Sequence, residues 1–126
     1  MLTPVQQLHY VILLCNDFER MKAFYQDLFA FPIESESATD LAFRAGSVLL
    51  ALRKRTRVYD SRGVRAELPG VQLAFLVSPA DVDRCYDQLV DKGVKILDPP
   101  NDQLRGHRTV YFSDPEGNIL EIYAEI

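Results

Sequence analysis

The chain has 126 residues, of which 48% are hydrophobic, so it can form one domain with a full core but not two ordinary domains. Its formal net charge of −4 argues against nucleic-acid binding, and no apolar run approaches the roughly 20 residues that span a bilayer. Because the two cysteines form neither a disulfide framework nor a metal cluster and no secretory signal is evident, we expect a cytoplasmic protein without membrane partners.

The first half of the chain predicts a strand, a helix and three further strands. Residues 8–15 form a nearly continuous apolar run, and Asn16 followed by Glu19 resembles a helix capping box. Apolar side chains then recur at helical spacing from Phe18 to Leu28, and the helix is expected to end near Ala30. Three strands should follow, over about residues 33–37, 41–45 and 47–53.

A linker is predicted over about residues 54–70, which contain Pro69 and two glycines but little periodicity. Basic side chains are concentrated in one short segment that overlaps this linker, from residue 53 to residue 65. They indicate either a solvated loop or one or two arginines that meet an anionic ligand, because a guanidinium suits a carboxylate or phosphate. These residues are Arg53, Lys54, Arg55, Arg57, Arg62 and Arg65.

The second half repeats the plan of the first. Residues 71–77 are an apolar strand, Ser78 and Pro79 are typical of a helix start, and Gly93 is typical of a helix end. Strands are expected over residues 94–97, 107–113 and 118–124, with a loop at about 98–105. The repeat of the same order after about sixty residues indicates an internal duplication.

We therefore predict an α+β fold with two tandem βαβββ modules, at about residues 8–53 and 71–126, in a single domain over residues 1–126. A sheet covered by a helix on one side only leaves an apolar face bare. Pairing of the modules into a cupped mixed sheet with the helices outside would cover it and form a concave site.

Glu121 is the most informative residue of the predicted last hairpin, whose turn has the sequence Asp114-Pro115-Glu116-Gly117-Asn118. In one interpretation its carboxylate faces solvent. In the other it lines the cup, because Ile119 and Tyr123 share its face and are apolar or amphipathic.

These motifs together resemble the vicinal oxygen chelate superfamily, which includes glyoxalase I, extradiol dioxygenases, fosfomycin-modifying enzymes and bleomycin-resistance proteins. The resemblance covers almost the whole chain. Its motifs are Asp17-Phe18-Glu19-Arg20 with Phe24-Tyr25, Gln72-Leu73-Ala74-Phe75, and Asp114-Pro115-x-Gly117-Asn118-x-x-Glu121.

The resemblance implies three positions for the ligands of a divalent metal ion. The two that are typically histidine fall on Tyr10 and Gln72, and the third falls on Glu121. A phenol, an amide and one carboxylate are a poor set for Zn, Ni or Fe, so we expect no metal cofactor. If a metal binds, its ligands would be Glu121, Gln72 and His9, the last turned inward by a strand bulge.

His107 is the other imidazole, and its alternatives are an exposed residue at a strand start or a partner of Glu121. If His107, Thr109 and Tyr111 face the cup, His107 and Glu121 are the candidate catalytic pair, acting in acid–base chemistry or in anchoring a ligand.

Three functions stay open. The first is a metal-free module, similar to bleomycin-resistance proteins, that binds a small amphipathic or anionic molecule and, as the resemblance implies, forms a homodimer. The second is a divalent-metal-dependent lyase, isomerase or dioxygenase of the same superfamily, and the third is a structural or regulatory domain with a filled cup. In the first, the ligand-binding residues would be Tyr10, Leu14, Gln72, Tyr111, Glu121 and Tyr123.

Overall fold

The computed structural model describes residues 1–60 and 70–126, and the chain divides into two compact units, Met1–Gly63 and Val64–Ile126. In its described part, each unit holds one mixed four-stranded sheet and one α-helix. Both follow the order strand, helix, three strands. The predicted α+β class and the βαβββ order are therefore confirmed.

The core of the first unit lies between its helix and its sheet. A parallel pair joins the first and last strands of the unit, and the sheet order is β1-β4-β3-β2. The helix buries Phe18, Met21 and Tyr25 and contacts β4. The elements are β1 (Tyr10–Cys15), α1 (Phe18–Leu28), β2 (Ile33–Glu36), β3 (Asp40–Ala45) and β4 (Val48–Lys54).

Helix α1 is capped one residue later than the sequence predicts. Its N-cap is Asp17, whose Oδ1 accepts a hydrogen bond from the backbone N–H of Arg20 at 3.2 Å. Asn16 lies outside the helix, where its Oδ1 accepts from Arg55 Nε at 2.8 Å. Both residue types suit an N-cap, so the sequence alone does not choose between adjacent candidates.

The second unit has the same topology, with a parallel β5–β8 pair and the sheet order β5-β8-β7-β6. A short 3₁₀ helix at Pro79–Asp81 precedes α2, which buries Val82 and Leu89. The core under α2 is completed by buried side chains of the last two strands, among them Phe112 and Leu120. The elements are β5 (Gln72–Leu76), α2 (Val82–Asp91), β6 (Ile96–Gln103), β7 (His107–Ser113) and β8 (Ile119–Glu125).

The prediction of a loop at about residues 98–105 is wrong, because β6 continues to Gln103. Its pairing with β7 shifts register between Ile96 and Asp98 and again between Asp98 and Asn101. Pro99 and Pro100 stand between these shifts. Because β6 is at the edge of its sheet, it tolerates prolines and bulges that would end a central strand.

The predicted linker is described only in part. Lys54 belongs to β4, and Val58–Asp60 form a 3₁₀ helix, whereas residues 61–69 lie outside the described residues together with the basic side chains of Arg62 and Arg65. Neither helix in the described ranges is long and apolar enough to cross a membrane.

Candidate functional site

A tight turn fixes the start of β8, the strand that carries Glu121. The buried carboxylate of Asp114 accepts three hydrogen bonds, to Oδ1 from the backbone N–H groups of Glu116 at 2.9 Å and Asn118 at 3.0 Å, and to Oδ2 from Asn118 Nδ2 at 2.8 Å. Gly117 takes a φ of 86°, which few other residues adopt without strain. The turn motif thereby sets the register of the predicted hairpin, which is confirmed.

Strand pairing places four of the predicted ligand-binding side chains on one face of the second sheet. Tyr111 in β7 stands directly opposite Glu121. Gln72 in β5 pairs with Ile119, which lies two residues before Glu121 in β8. Tyr123 lies two residues after Glu121. Since opposite residues and residues two apart point to the same side of a sheet, these side chains share a face.

Glu121 is buried at 4% exposure, which rules out the interpretation that its carboxylate faces solvent. Its Oε1 accepts a hydrogen bond from Gln72 Nε2 at 3.3 Å. Its Oε2 is also buried and has no hydrogen-bond partner among the described residues. A buried carboxylate oxygen without a donor is unfavourable, so this atom marks a position that a donor group can fill.

Arg105, in the β6–β7 turn, places its guanidinium beside this oxygen. Its Nη2 lies 3.5 Å from Glu121 Oε2, within ion-pair range, and donates a hydrogen bond to the phenol oxygen of Tyr111 at 3.3 Å. The side chain of Arg105 is 58% exposed, whereas that of Glu121 is 5% exposed. The pair therefore joins a buried anion to a cation that solutes can reach.

His107 shares this face of the sheet but does not stand beside Glu121. It pairs with Glu125, four residues along β8 from Glu121, a separation of about 13 Å at strand spacing. Its ring lies against that of Tyr123, with centroids 4.8 Å apart. The candidate catalytic residues His107 and Glu121 are thus on one face but not in hydrogen-bond contact.

The two predicted site residues of the first unit line a pocket within that unit. Tyr10 and Leu14 lie on the face of β1 that also carries Ile12, and the pocket encloses about 540 Å³. Its lining combines apolar with charged side chains. The remaining lining residues are Ser35, Asp40, Leu41, Ala42, Ala51, Arg53 and Arg57.

The start of the basic segment is held in place by hydrogen bonds to a buried aspartate, Asp60. Arg53 donates to both oxygens of Asp60, at 3.0 and 2.8 Å, and the backbone N–H groups of Thr56 and Arg57 donate to Asp60 Oδ2 at 2.9 and 2.8 Å. The guanidinium of Arg53 and these amides hold the pKa of Asp60 well below its usual range. Arg55 donates to the backbone carbonyl of Asp60 as well.

The groups around Glu121 do not fit the divalent ion that the family resemblance implies. Gln72 presents its N–H group to the carboxylate, and the guanidinium of Arg105 already places a positive charge beside the second oxygen. His9 lies just outside β1, exposed, and β1 pairs from Tyr10 onward without the bulge that would turn His9 inward. Within residues 1–60 and 70–126, no group of three or more His, Cys, Asp or Glu side chains can hold a metal ion.

Sequence reasoning missed Arg105, which pairs with Glu121 in the second unit, and Asp60, which orders the start of the basic segment in the first. Arg105 falls in a segment without periodicity, and its reach toward Glu121 depends on the hairpin register. Asp60 follows a run of basic residues at short range, and this local charge pairing was the only signal that could have identified it.

Comparison with known proteins agrees with this architecture. A family model described as the Glyoxalase/Bleomycin resistance protein/Dioxygenase superfamily matches residues 7–122. The chain is 36% identical to the protein YraH of Bacillus subtilis (strain 168) over 119 residues, covering 88% of this chain and 92% of YraH. It is 26% identical to the metallothiol transferase FosB of Lysinibacillus sphaericus (strain C3-41) over 119 residues, covering 94% of this chain and 82% of FosB.

A solved structure supports the fold. The crystal structure of a glyoxalase/bleomycin resistance protein/dioxygenase from Nocardioides has a TM-score of 0.82 and 23% sequence identity, and the match covers 97% of this chain and 85% of the other. With a family model matched over nearly the whole length, the chain belongs to the glyoxalase/bleomycin resistance protein/dioxygenase superfamily, which confirms the resemblance seen in the sequence.

Proposed function

We propose that the chain binds a small amphipathic or anionic molecule, without a metal ion, through the sheet faces that carry the predicted site residues. The observation that carries the proposal is the half-satisfied carboxylate of Glu121. One oxygen accepts from Gln72, and the other is buried beside Arg105 with no hydrogen-bond donor in residues 1–60 and 70–126. Such an atom is unfavourable in a folded protein, and a ligand that donates a hydrogen bond to it explains why it is present.

Arg105 supplies the attraction for an anion. Its guanidinium is anchored by the Glu121 ion pair and the Tyr111 hydroxyl, yet more than half of the side chain is exposed. The N–H groups directed away from Glu121 can donate to a carboxylate or phosphate. Glu121 in this arrangement positions the cation and offers its own free oxygen to a donor of the ligand.

Apolar contact area is available on the Glu121 face, where the half-buried rings of Tyr111 and Tyr123 lie. Within the first unit, Tyr10, Ile12 and Leu14 line a pocket as well. Aromatic side chains provide a large contact area with little rotamer entropy to lose. The ligand class that matches both features is an aromatic or aliphatic group with an anionic end. As the family resemblance implies, we further propose a homodimer.

Thermal-shift measurements against a panel of small aromatic carboxylates and phosphates test the proposal, with the neutral amide or alcohol of each compound as its partner. We expect an anion, but not its neutral partner, to raise the melting temperature, because a ligand that binds only the folded state stabilises it by mass action. Arg105→Gln should abolish the shift. The matched control is Arg84→Gln, since Arg84 is an exposed residue of α2 that forms an ion pair with Asp81.

The second candidate is a metal-dependent enzyme, and the similarity to FosB, a metallothiol transferase, is the observation that favours it. Glu121, Gln72 and His9 would then be the protein ligands. Dialysis against Ni, Zn, Mn or Fe(II) followed by metal analysis distinguishes the two candidates. Substoichiometric metal is expected. Stoichiometric metal that is lost in Glu121→Ala would overturn the metal-free proposal.

The third candidate, a structural or regulatory domain with a filled cup, predicts that no compound of the panel changes the melting temperature. It also predicts that a crystal structure of the purified protein shows the predicted site packed with its own side chains. Either an Arg105-dependent thermal shift or density for a bound small molecule would exclude this candidate.

A further inference from the structure

Thr109 is a second buried polar residue on the face of the sheet that carries Glu121. It lies in the middle of β7 and is fully buried, at 0% exposure. Its Oγ1 has no hydrogen-bond partner among the residues that the structure describes. Nothing in the sequence motifs of the site involves this hydroxyl.

The two unsatisfied atoms are close neighbours in the sheet. Thr109 stands opposite Tyr123, and Tyr111 stands opposite Glu121, in a β7–β8 register that runs without a bulge. Thr109 and Glu121 are therefore diagonal neighbours on one face, whose backbones are about 7–8 Å apart. At that separation, one small group can lie within hydrogen-bond distance of both side chains.

The chemistry of the two atoms selects the group. Glu121 Oε2 only accepts, whereas Thr109 Oγ1 can donate or accept. A hydroxyl group satisfies both, because it donates its hydrogen to Glu121 and accepts from Thr109. An ammonium group could donate to both, but the guanidinium of Arg105 lies 3.5 Å from the same carboxylate oxygen and would repel it.

We propose that Thr109 and Glu121 form a hydroxyl-binding subsite, so that the ligand is a hydroxy acid whose hydroxyl meets these two residues and whose anion meets Arg105. This inference rests on the proposed function and narrows it to a substrate class. An ordered water bridging the same atoms is the competing explanation, since buried waters commonly satisfy such groups.

Stability without ligand separates these explanations. Thr109→Val keeps the side-chain shape and removes the unsatisfied hydroxyl, so the melting temperature should stay the same or rise. A clear fall would mean that the hydroxyl is bonded in the free protein, by a water or by the chain, and would overturn the subsite. Thr39→Val is the matched control and should lower the melting temperature, because the Thr39 hydroxyl donates to Asp40.

Binding of 3-phenyllactate and 3-phenylpropionate, measured by calorimetry, tests the ligand class, because the two differ only in the hydroxyl. In the wild type we expect about tenfold tighter binding of phenyllactate, the ratio given by one net hydrogen bond of about 1.4 kcal/mol. Thr109→Val should reduce the ratio to about one by weakening phenyllactate alone, and Thr109→Ser should restore it.

Equal affinities in the wild type would overturn the hydroxyl subsite and leave the proposed function standing. So would failure of both probes when another aromatic anion binds in an Arg105-dependent manner. If no anion of the panel binds, the proposed function falls and the subsite falls with it.

Discussion

Two buried carboxylates, one in each unit, differ in how many hydrogen bonds they accept. Asp60 and Glu121 are equally buried, at 3% and 4% exposure. Asp60 accepts two hydrogen bonds from Arg53 and two from backbone amides. Among the described residues, Glu121 accepts one, from Gln72, and its other oxygen has no donor. At equal burial, the difference in partners separates a carboxylate that holds the chain together from one that we propose binds a ligand.

The origin of the partners explains the contrast. Within the described part of the chain, the donors to Asp60 come from the preceding seven residues, so these hydrogen bonds stabilise the segment after β4 locally. The neighbours of Glu121 come from β5, β7 and the β6–β7 turn. Three separate elements surround one carboxylate, and none of their described residues donates a hydrogen bond to its Oε2, which is an arrangement typical of a binding site.

The largest effect on stability is expected from Asp60→Asn. The substitution removes the carboxylate that accepts two hydrogen bonds from the guanidinium of Arg53, which is 12% exposed, and breaking a pair of this kind by removing one partner is strongly destabilising. We expect the melting temperature to fall by about 10 °C or more, measured by calorimetry. Asp87→Asn, on the exposed side of α2, is the control and should change it little. Equal melting temperatures for the two variants would contradict the structural role of Asp60.

A fall in pH should gradually remove the stabilisation that Asp60 contributes to the folded state. Hydrogen bonds from Arg53, then from the Arg57 amide, lower the pKa of Asp60 in the folded state below the unfolded value of about 3.9. The stabilisation is therefore fully present above the unfolded pKa and is lost as the pH falls toward the folded pKa. Urea midpoints between about pH 5 and pH 3 should drop less in Asp60→Asn than in the wild type. Parallel curves would show that Asp60 does not contribute this linkage.

Glu121→Gln should behave in the opposite way to Asp60→Asn. The amide keeps the shape of the side chain and removes a buried charge that has only one hydrogen-bond donor, so the free protein should lose no more than about 3 °C and can gain stability. Thermal melting of the variant without ligand measures this. A fall as large as that of Asp60→Asn would mean that the Glu121 carboxylate stabilises the fold and would remove the contrast between the two units.

Much of the fold could be predicted from the sequence because it is encoded locally. The apolar spacing of α1 and the Asp114 turn depend on residues close in the chain, and both are confirmed. The extension of β6 could not be predicted, because Pro99 and Pro100 oppose a strand and only its place at the sheet edge permits one.

The site was harder to predict than the strands that carry it. Parity placed Glu121 and Tyr123 on one face, and the structure agrees. The ion pair with Arg105 depends on how a turn folds over a sheet, and the free hydroxyl of Thr109 depends on which neighbours fail to reach it. The spacing of residues along the sequence predicts neither property, since both are set by the positions of atoms far apart in the chain.

The smallest effect is expected at Arg108, which resembles Arg53 in having two close carboxylate contacts but differs in exposure. Its guanidinium lies 2.9 Å from Asp83 and from Asp102, whose side chains are 59% and 63% exposed. Because salt screens exposed pairs, Arg108→Gln should lower the melting temperature by only about 1–3 °C near 0.01 M salt and by less near 1 M. The deficit of Asp60→Asn should persist at about 1 M salt, since a buried pair is screened little. If both deficits shrank in parallel, burial would not be what distinguishes the Arg53–Asp60 pair from an ordinary surface cluster.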